Sequence, residues 1–143
     1  MNIYAGSDHA GFNLKKTLIG KLQELGFEVK DLGTDSKDSC DYPDYAHLVA
    51  QSVLKDKNSL GLIVCGSGIG ISMAANRHSG IRAALCRSGF EAELARKHNN
   101  ANVLALGERI TGQDLALDIL DKFINTDFEG GRHSRRVEKI EIK

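Results

Sequence analysis

Two periods of apolar residues take turns along this chain. Short apolar runs at Ile3 to Ala5, Leu60 to Val64, Ile81 to Cys86 and Val103 to Leu106 predict buried strands, and Phe27 to Leu32 alternates like a half-buried one. Between them, apolar positions recur three and four apart. This spacing predicts helices ending near Leu25, spanning Tyr45 to Leu54, Ile69 to about Asn76, Gly89 to Lys97, and Leu115 to Phe123. Gly26 supplies a stop for the first. A polar loop from Gly33 to Pro43 holds the only proline, and a charged tail, Arg132 to Lys143, follows Gly130 and Gly131.

Five strands separated by helices predict an α/β fold with a parallel sheet. No repeat, low-complexity tract or linker divides the 143 residues, so one domain over 1–143 is expected. In such sheets a ligand sits beyond the carboxyl ends of the strands, where the strand order reverses. The candidates are therefore the polar residues near strand ends: Asp8 and His9, Cys65 to Gly70, His98 to Asn102, and Gly107 to Arg109.

Charge and cysteine usage narrow the partners. The formal net charge is zero, which gives no global attraction to nucleic acid or an acidic membrane, so an anion would need a local basic cluster. No apolar run approaches the ~20 residues that span a bilayer, and the start of the chain does not read as a signal peptide. Cysteines at 40, 65 and 86 form no Cys-x-x-Cys pair, which argues against a disulfide framework or structural zinc and points to the cytoplasm. Histidines at 9, 47, 78, 98 and 133 lack metal-ligand spacing, so no metal is expected.

The richest chemistry lies at Cys65, which ends an apolar run and opens Gly66-Ser67-Gly68-Ile69-Gly70-Ile71-Ser72. That order reads as strand, tight loop and helix start. Bare N–H groups there favour negative charge, so a thiol can serve as base or nucleophile beside a cradle for a second anion. The glycine spacing misses the dinucleotide fingerprint by one residue, Walker A lacks its lysine, and a cysteine-phosphatase loop would want arginine where Ile71 stands. Cys40 and Cys86 read as small buried hydrophobes, and His47 and His78 as surface residues. His98, at a predicted helix end, suits either the helix dipole or acid–base work near neutral pH. Arg132 and Arg136, four apart on one helix face, suit a phosphate clamp.

Taken together, Gly6 to Phe12, Asp41-Tyr42-Pro43, Cys65 to Ser72, Ala74 to Asn76, Gly80 to Ala83, Arg96 to Asn99, Asn102 to Ala105 and Gly130 to His133 resemble type B ribose-5-phosphate isomerase. This group also contains the allose- and galactose-6-phosphate isomerases. The resemblance implies a metal-free, cofactor-free aldose–ketose isomerase of the pentose phosphate pathway, interconverting ribose 5-phosphate and ribulose 5-phosphate through a cis-enediolate. It implies a Rossmann-like three-layer sandwich of strand order 2-1-3-4-5 with an extending C-terminal helix. A homodimer or dimer of dimers, with sites shared across the interface, is also implied. By position, Cys65 matches the proton-transferring base, Ser67 an oxyanion donor, His98 the ring-opening residue and Asp8 its helper. Asp8, His9, Tyr42 and Asn99 match sugar contacts, the loop Gly66, Ser67, Gly68, Ile69 and Gly70 the enediolate cradle, and Arg109, Arg132 and Arg136 phosphate positions. Another branch of the family carries a glutamate base where this chain has Ile71. Competing readings are an allose- or galactose-6-phosphate isomerase, or a non-catalytic sugar-phosphate-binding protein on the same fold.

Overall fold

The computed structural model describes residues 1–142. Its strands are β1 (Asn2–Ser7), β2 (Glu28–Asp31), β3 (Leu60–Cys65), β4 (Ala83–Leu85) and β5 (Val103–Gly107). Its helices are α1 (Phe12–Glu24), α2 (Tyr42–Lys55), α3 (Ile69–Ala75), α4 (Gly89–Asn99), α5 (Gln113–Ile124) and α6 (Arg132–Glu138). All five strands pair in parallel. Helices α1, α4 and α5 bury their apolar faces on one side of the sheet, with Leu18, Leu22, Ile119 and Phe123 at the centre. Helices α2 and α3 cover the other side through Val49, Val53, Ile71 and Ala75. The α/β sandwich is therefore as expected.

The strand order is β2-β1-β3-β5-β4, which corrects the expected 2-1-3-4-5. Burial explains the exchange. Strand β5 is apolar and buried at all five positions, whereas β4 has three half-buried residues. The fully apolar strand takes the interior place beside β3, and the short one takes the edge, where fewer ladder bonds are needed. On its free side, β4 is closed by a side chain: the Asn76 amide accepts from Ala83 N at 2.8 Å and donates to Ala83 O at 2.9 Å.

Element boundaries follow local chemistry. Gly26, at φ +90°, ends α1, and the N–H groups of Gly26 and Phe27 close back on Gln23 O and Leu22 O. Helix α2 starts at Tyr42, three residues earlier than its apolar periodicity suggests, because Pro43 suits the first turn, where no backbone donor is needed. Lys15 is fully buried in α1, and its ammonium donates to Asp31 Oδ1 at 2.6 Å and Thr34 O at 2.7 Å. That pair ties α1 to the segment after β2, where Ser7 N donates to Gly33 O and Thr34 N to Ser7 O. The carboxyl end of β1 is thereby held against the segment that follows β2. No helix is long and apolar enough to cross a membrane among the described residues.

Candidate active site

A cleft of about 490 Å³ opens beyond the carboxyl ends of β1 and β3. It is lined by Asp8, His9, Tyr42, Cys65, Ser67 and Arg109, with Gly66, Ile69 and Gly70 completing the loop wall. This is the switch point of the sheet, where β1 and β3 feed helices on opposite faces.

Cys65 is the last residue of a strand buried at every position, and only 4% of its surface is exposed. Its Sγ accepts the Gly68 N–H at 3.1 Å. Gly68 makes this turn possible. It sits at φ +78°, and a Cβ there would lie 2.5 Å from Leu85 Cδ1 and 2.8 Å from the Leu106 carbonyl carbon. Ser67 Oγ accepts the Ile69 N–H at 3.1 Å, so the hydroxyl proton is left free for a ligand. Ile71, where a glutamate base would stand in the other branch, is fully buried in the apolar layer under α3.

The walls are fixed by backbone bonds. Asp8 Oδ1 accepts the Gly11 N–H at 3.0 Å and caps a short 3-10 turn at His9–Gly11, which leaves the other oxygen of this nearly buried carboxylate for the cleft. His9 Nδ1 accepts the Cys40 N–H at 3.2 Å, so the ring proton resides on Nε2. The β5–α5 loop pairs with the Cys65 loop, since Glu108 N donates to Cys65 O and Arg109 N to Gly66 O, both at 2.9 Å. The Arg109 guanidinium then lies over Gly66, 3.1 Å from where a Cβ would be. Glu108 turns the other way and accepts the Leu14 N–H at 2.6 Å, capping the first turn of α1. Tyr42 lays its ring against Gly70, where a Cβ would come within 2.6 Å of Cζ.

Five of the expected site residues do not line this cleft: Gly68, whose positive-φ turn packs against Leu85 and the backbone of β5, and four from α4 and α6. His98 and Asn99 end α4, and Arg132 and Arg136 lie on α6, which packs against α4. His98 stacks on His133, with ring centroids 4.4 Å apart and planes 14° from parallel. Burial first, then His98 and Arg132, push the His133 imidazole below its ordinary 6.5. Arg132 and Arg136 are exposed on one face of their helix.

Three sequence readings need correction. Cys40 is half-buried rather than buried, because its loop is held over His9 and leaves the thiol 4.0 Å from Nδ1. His47 and His78 are not free surface residues: His47 Nδ1 and His78 Nε2 are 2.7 Å apart, joining α2 to the turn after α3. Nothing local in the sequence marks that pair, whose members lie thirty-one positions apart. Cys86 does behave as a buried hydrophobe, with burial pushing its thiol up to about 12.

The model of the ribose/galactose isomerase family matches residues 3–140. Ribose-5-phosphate isomerase B of Escherichia coli strain K12 is 47% identical over 135 residues, covering 94% of this chain and 91% of that protein. A solved structure of ribose-5-phosphate isomerase B from Clostridium thermocellum superposes with a TM-score of 0.96 at 50% identity, covering 98% of this chain and 95% of that one. The Mycoplasma genitalium enzyme, solved with bound ribulose-5-phosphate, superposes at 0.94 with 46% identity, covering 97% of this chain and 93% of that one.

Proposed function

This chain belongs to the ribose/galactose isomerase family, and from that premise we infer that it interconverts ribose 5-phosphate and ribulose 5-phosphate. The observation that carries the chemistry is the Cys65 sulfur at the floor of the cleft, hydrogen-bonded by Gly68 N–H, with the Ser67 hydroxyl proton unclaimed beside it.

The reaction needs two things from the protein. A closed sugar ring must be opened, and a weakly acidic C–H next to a carbonyl must lose its proton. In the proposed mechanism the Cys65 thiolate takes that proton, the carbonyl oxygen becomes the oxyanion of a cis-enediolate, and the same proton returns to the neighbouring carbon. Ser67 and the amides of Gly66 to Gly70 stabilise the oxyanion, an effect worth about 3–4 kcal/mol for one well-placed donor. Arg109 holds the phosphate, Tyr42 and the His9 Nε2–H position the sugar hydroxyls, and Asp8 assists ring opening. Fixing a small flexible substrate by its phosphate lowers the entropic cost of reaching the reactive geometry.

His98, Asn99, Arg132 and Arg136 enter through a second copy of the chain. They belong to α4 and α6, outside the cleft that holds Cys65, so each chain carries two half-sites. In the proposed homodimer, α4 and α6 of one protomer complete the cleft of its partner, supplying the ring-opening imidazole and two more guanidinium groups. A catalytic thiol is kept reduced in the cytoplasm, where we place the enzyme.

Turnover of ribose 5-phosphate, allose 6-phosphate and galactose 6-phosphate, measured side by side with a chelator present, tests the substrate. The pentose phosphate should give the highest kcat/KM. Cys65→Ala should lower kcat by at least about 10²–10⁴, the range of general-base catalysis, while phosphate-ester binding persists. Retained turnover in that variant would reject the thiol as base.

A further inference from the structure

Helix α6, which carries Arg132 and Arg136, has little of its own to hold it in place. Only His133 among its residues is buried, and a helix this short is marginal in water without outside contacts. Gly130 and Gly131, both at positive φ, precede it and give its start a pivot of low rotational resistance. Its first turn is fixed by the stack of His133 on His98. Its far end depends on Glu141, just beyond the helix cap at Lys139. We infer that Glu141 is a positioning residue: by latching the segment after α6 to the turn between α3 and β4, it sets where Arg132 and Arg136 stand for the substrate's phosphate. This role rests on the phosphate contacts assigned above to those arginines in the shared cleft.

The latch is a carboxylate holding two donors at once. Glu141 Oε1 accepts the Gly80 N–H at 2.7 Å, and Oε2 accepts the Ser79 hydroxyl at 2.9 Å. Hydrogen bonds to an ionised acceptor are stronger than neutral ones. The Gly80 N–H first, then the Ser79 hydroxyl, hold the carboxyl below its ordinary 4.5, with Arg82 adding a weaker attraction. Glu141 is therefore ionised at neutral pH.

The receiving turn is itself held to the sheet and its helices. His78 Nε2 lies 2.7 Å from His47 Nδ1 on α2, and Asn102 Nδ2, just before β5, donates to Gly80 O at 2.9 Å. Glu141 thus ties α6 to the scaffold of the domain rather than to another loose loop. With the latch closed, the two guanidinium groups keep one orientation. Released, α6 samples others about its glycine pivot, and the apparent affinity for phosphate falls with the competent fraction.

The loss should appear in binding and not in the chemical step. Cys65 and Ser67 lie in the cleft wall, and His98 is on α4, none of which Glu141 touches. A substrate that has captured the competent orientation then reacts at the parent's rate.

The test uses the full-length enzyme, ribose 5-phosphate as substrate and inorganic phosphate as a competing probe of the anion site. Glu141→Gln keeps the size of the side chain but has one acceptor oxygen in place of two, so one donor loses its partner. If the competent orientation drops to about a third of the population, KM and the phosphate Ki should each rise about threefold. Turnover number and denaturant midpoint should stay at the parent's values. Ser79→Ala, which removes one bond, should move both constants in the same direction by less. In an Arg132→Gln/Arg136→Gln background, Glu141→Gln should add nothing, because the groups it positions are gone. Unchanged KM and Ki in Glu141→Gln would overturn the role. A lower kcat with an unchanged Ki, or a full effect without the two arginines, would do the same. If the parent turns over no pentose phosphate, the isomerase reading fails instead. Calorimetric titration of parent and Glu141→Gln with inorganic phosphate then decides the latch, equal affinities rejecting it.

Discussion

Cys65 owes its chemistry to its place at the end of a strand buried at every position, just before a turn that only glycine can make. At Gly68 the backbone is left-handed, and a Cβ would press on both Leu85 and the backbone of β5. Gly68→Ala should therefore destabilise the fold by about 1–3 kcal/mol and misplace the amide that bonds Sγ. Denaturant midpoints and kcat measured on the same preparation check this, with both falling. An unchanged midpoint with full activity would mean that the turn tolerates a side chain. This loop was legible in the sequence because its signals are local, a thiol, spaced glycines and a helix start within eight positions. The tautomer of His9 was not, since it depends on a backbone N–H thirty-one residues away at Cys40.

At the level of elements, the α2–α3 layer supports the cleft from one side, and the His47–His78 contact is its polar fastening. With His47 Nδ1 and His78 Nε2 2.7 Å apart, one nitrogen must donate and the other accept, so a doubly protonated pair cannot keep the bond. Burial first, and His47 second, lower the His78 pKa from 6.5 in the folded protein. The unfolded chain, at about the ordinary value, thus takes up the proton first as pH falls. The contribution of this group to stability is intact above about 6.5 and is lost progressively as pH falls from there toward the lower native value. Chemical denaturation between about pH 8 and pH 5 should show wild type losing stability faster than His78→Asn. Parallel curves would show that the pair does not link α2 and α3 energetically. Element types were legible because strand and helix periods differ sharply in β3, α2 and α5. The exchange of β4 and β5 was not, because strand order depends on which strand buries most when several are packed together, and sequence adjacency carries no such term.

On the scale of the whole molecule, the expected site residues fall into two sets that one chain does not bring together. Asp8, His9, Tyr42, Cys65, Ser67 and Arg109 share a cleft, whereas His98, Asn99, Arg132 and Arg136 ride on α4 and α6. Sequence motifs record which residues a site uses but not which copy provides them, so this division becomes visible only in three dimensions. If the sets meet across a two-fold interface, each subunit lends one half and receives the other. Cys65→Ala and His98→Asn homodimers should then each be nearly inactive, for different reasons. Co-refolding equal amounts should produce hybrid dimers in which one cleft carries both lesions and the other carries neither. Random assortment makes about half the dimers hybrid, each with one native cleft, so activity should recover to about a quarter of wild type. Recovery should depend on co-refolding and be absent when folded homodimers are mixed and assayed before subunits exchange. A mixture that stays at the activity of its parents would place both halves within a single chain and remove the shared-cleft arrangement altogether.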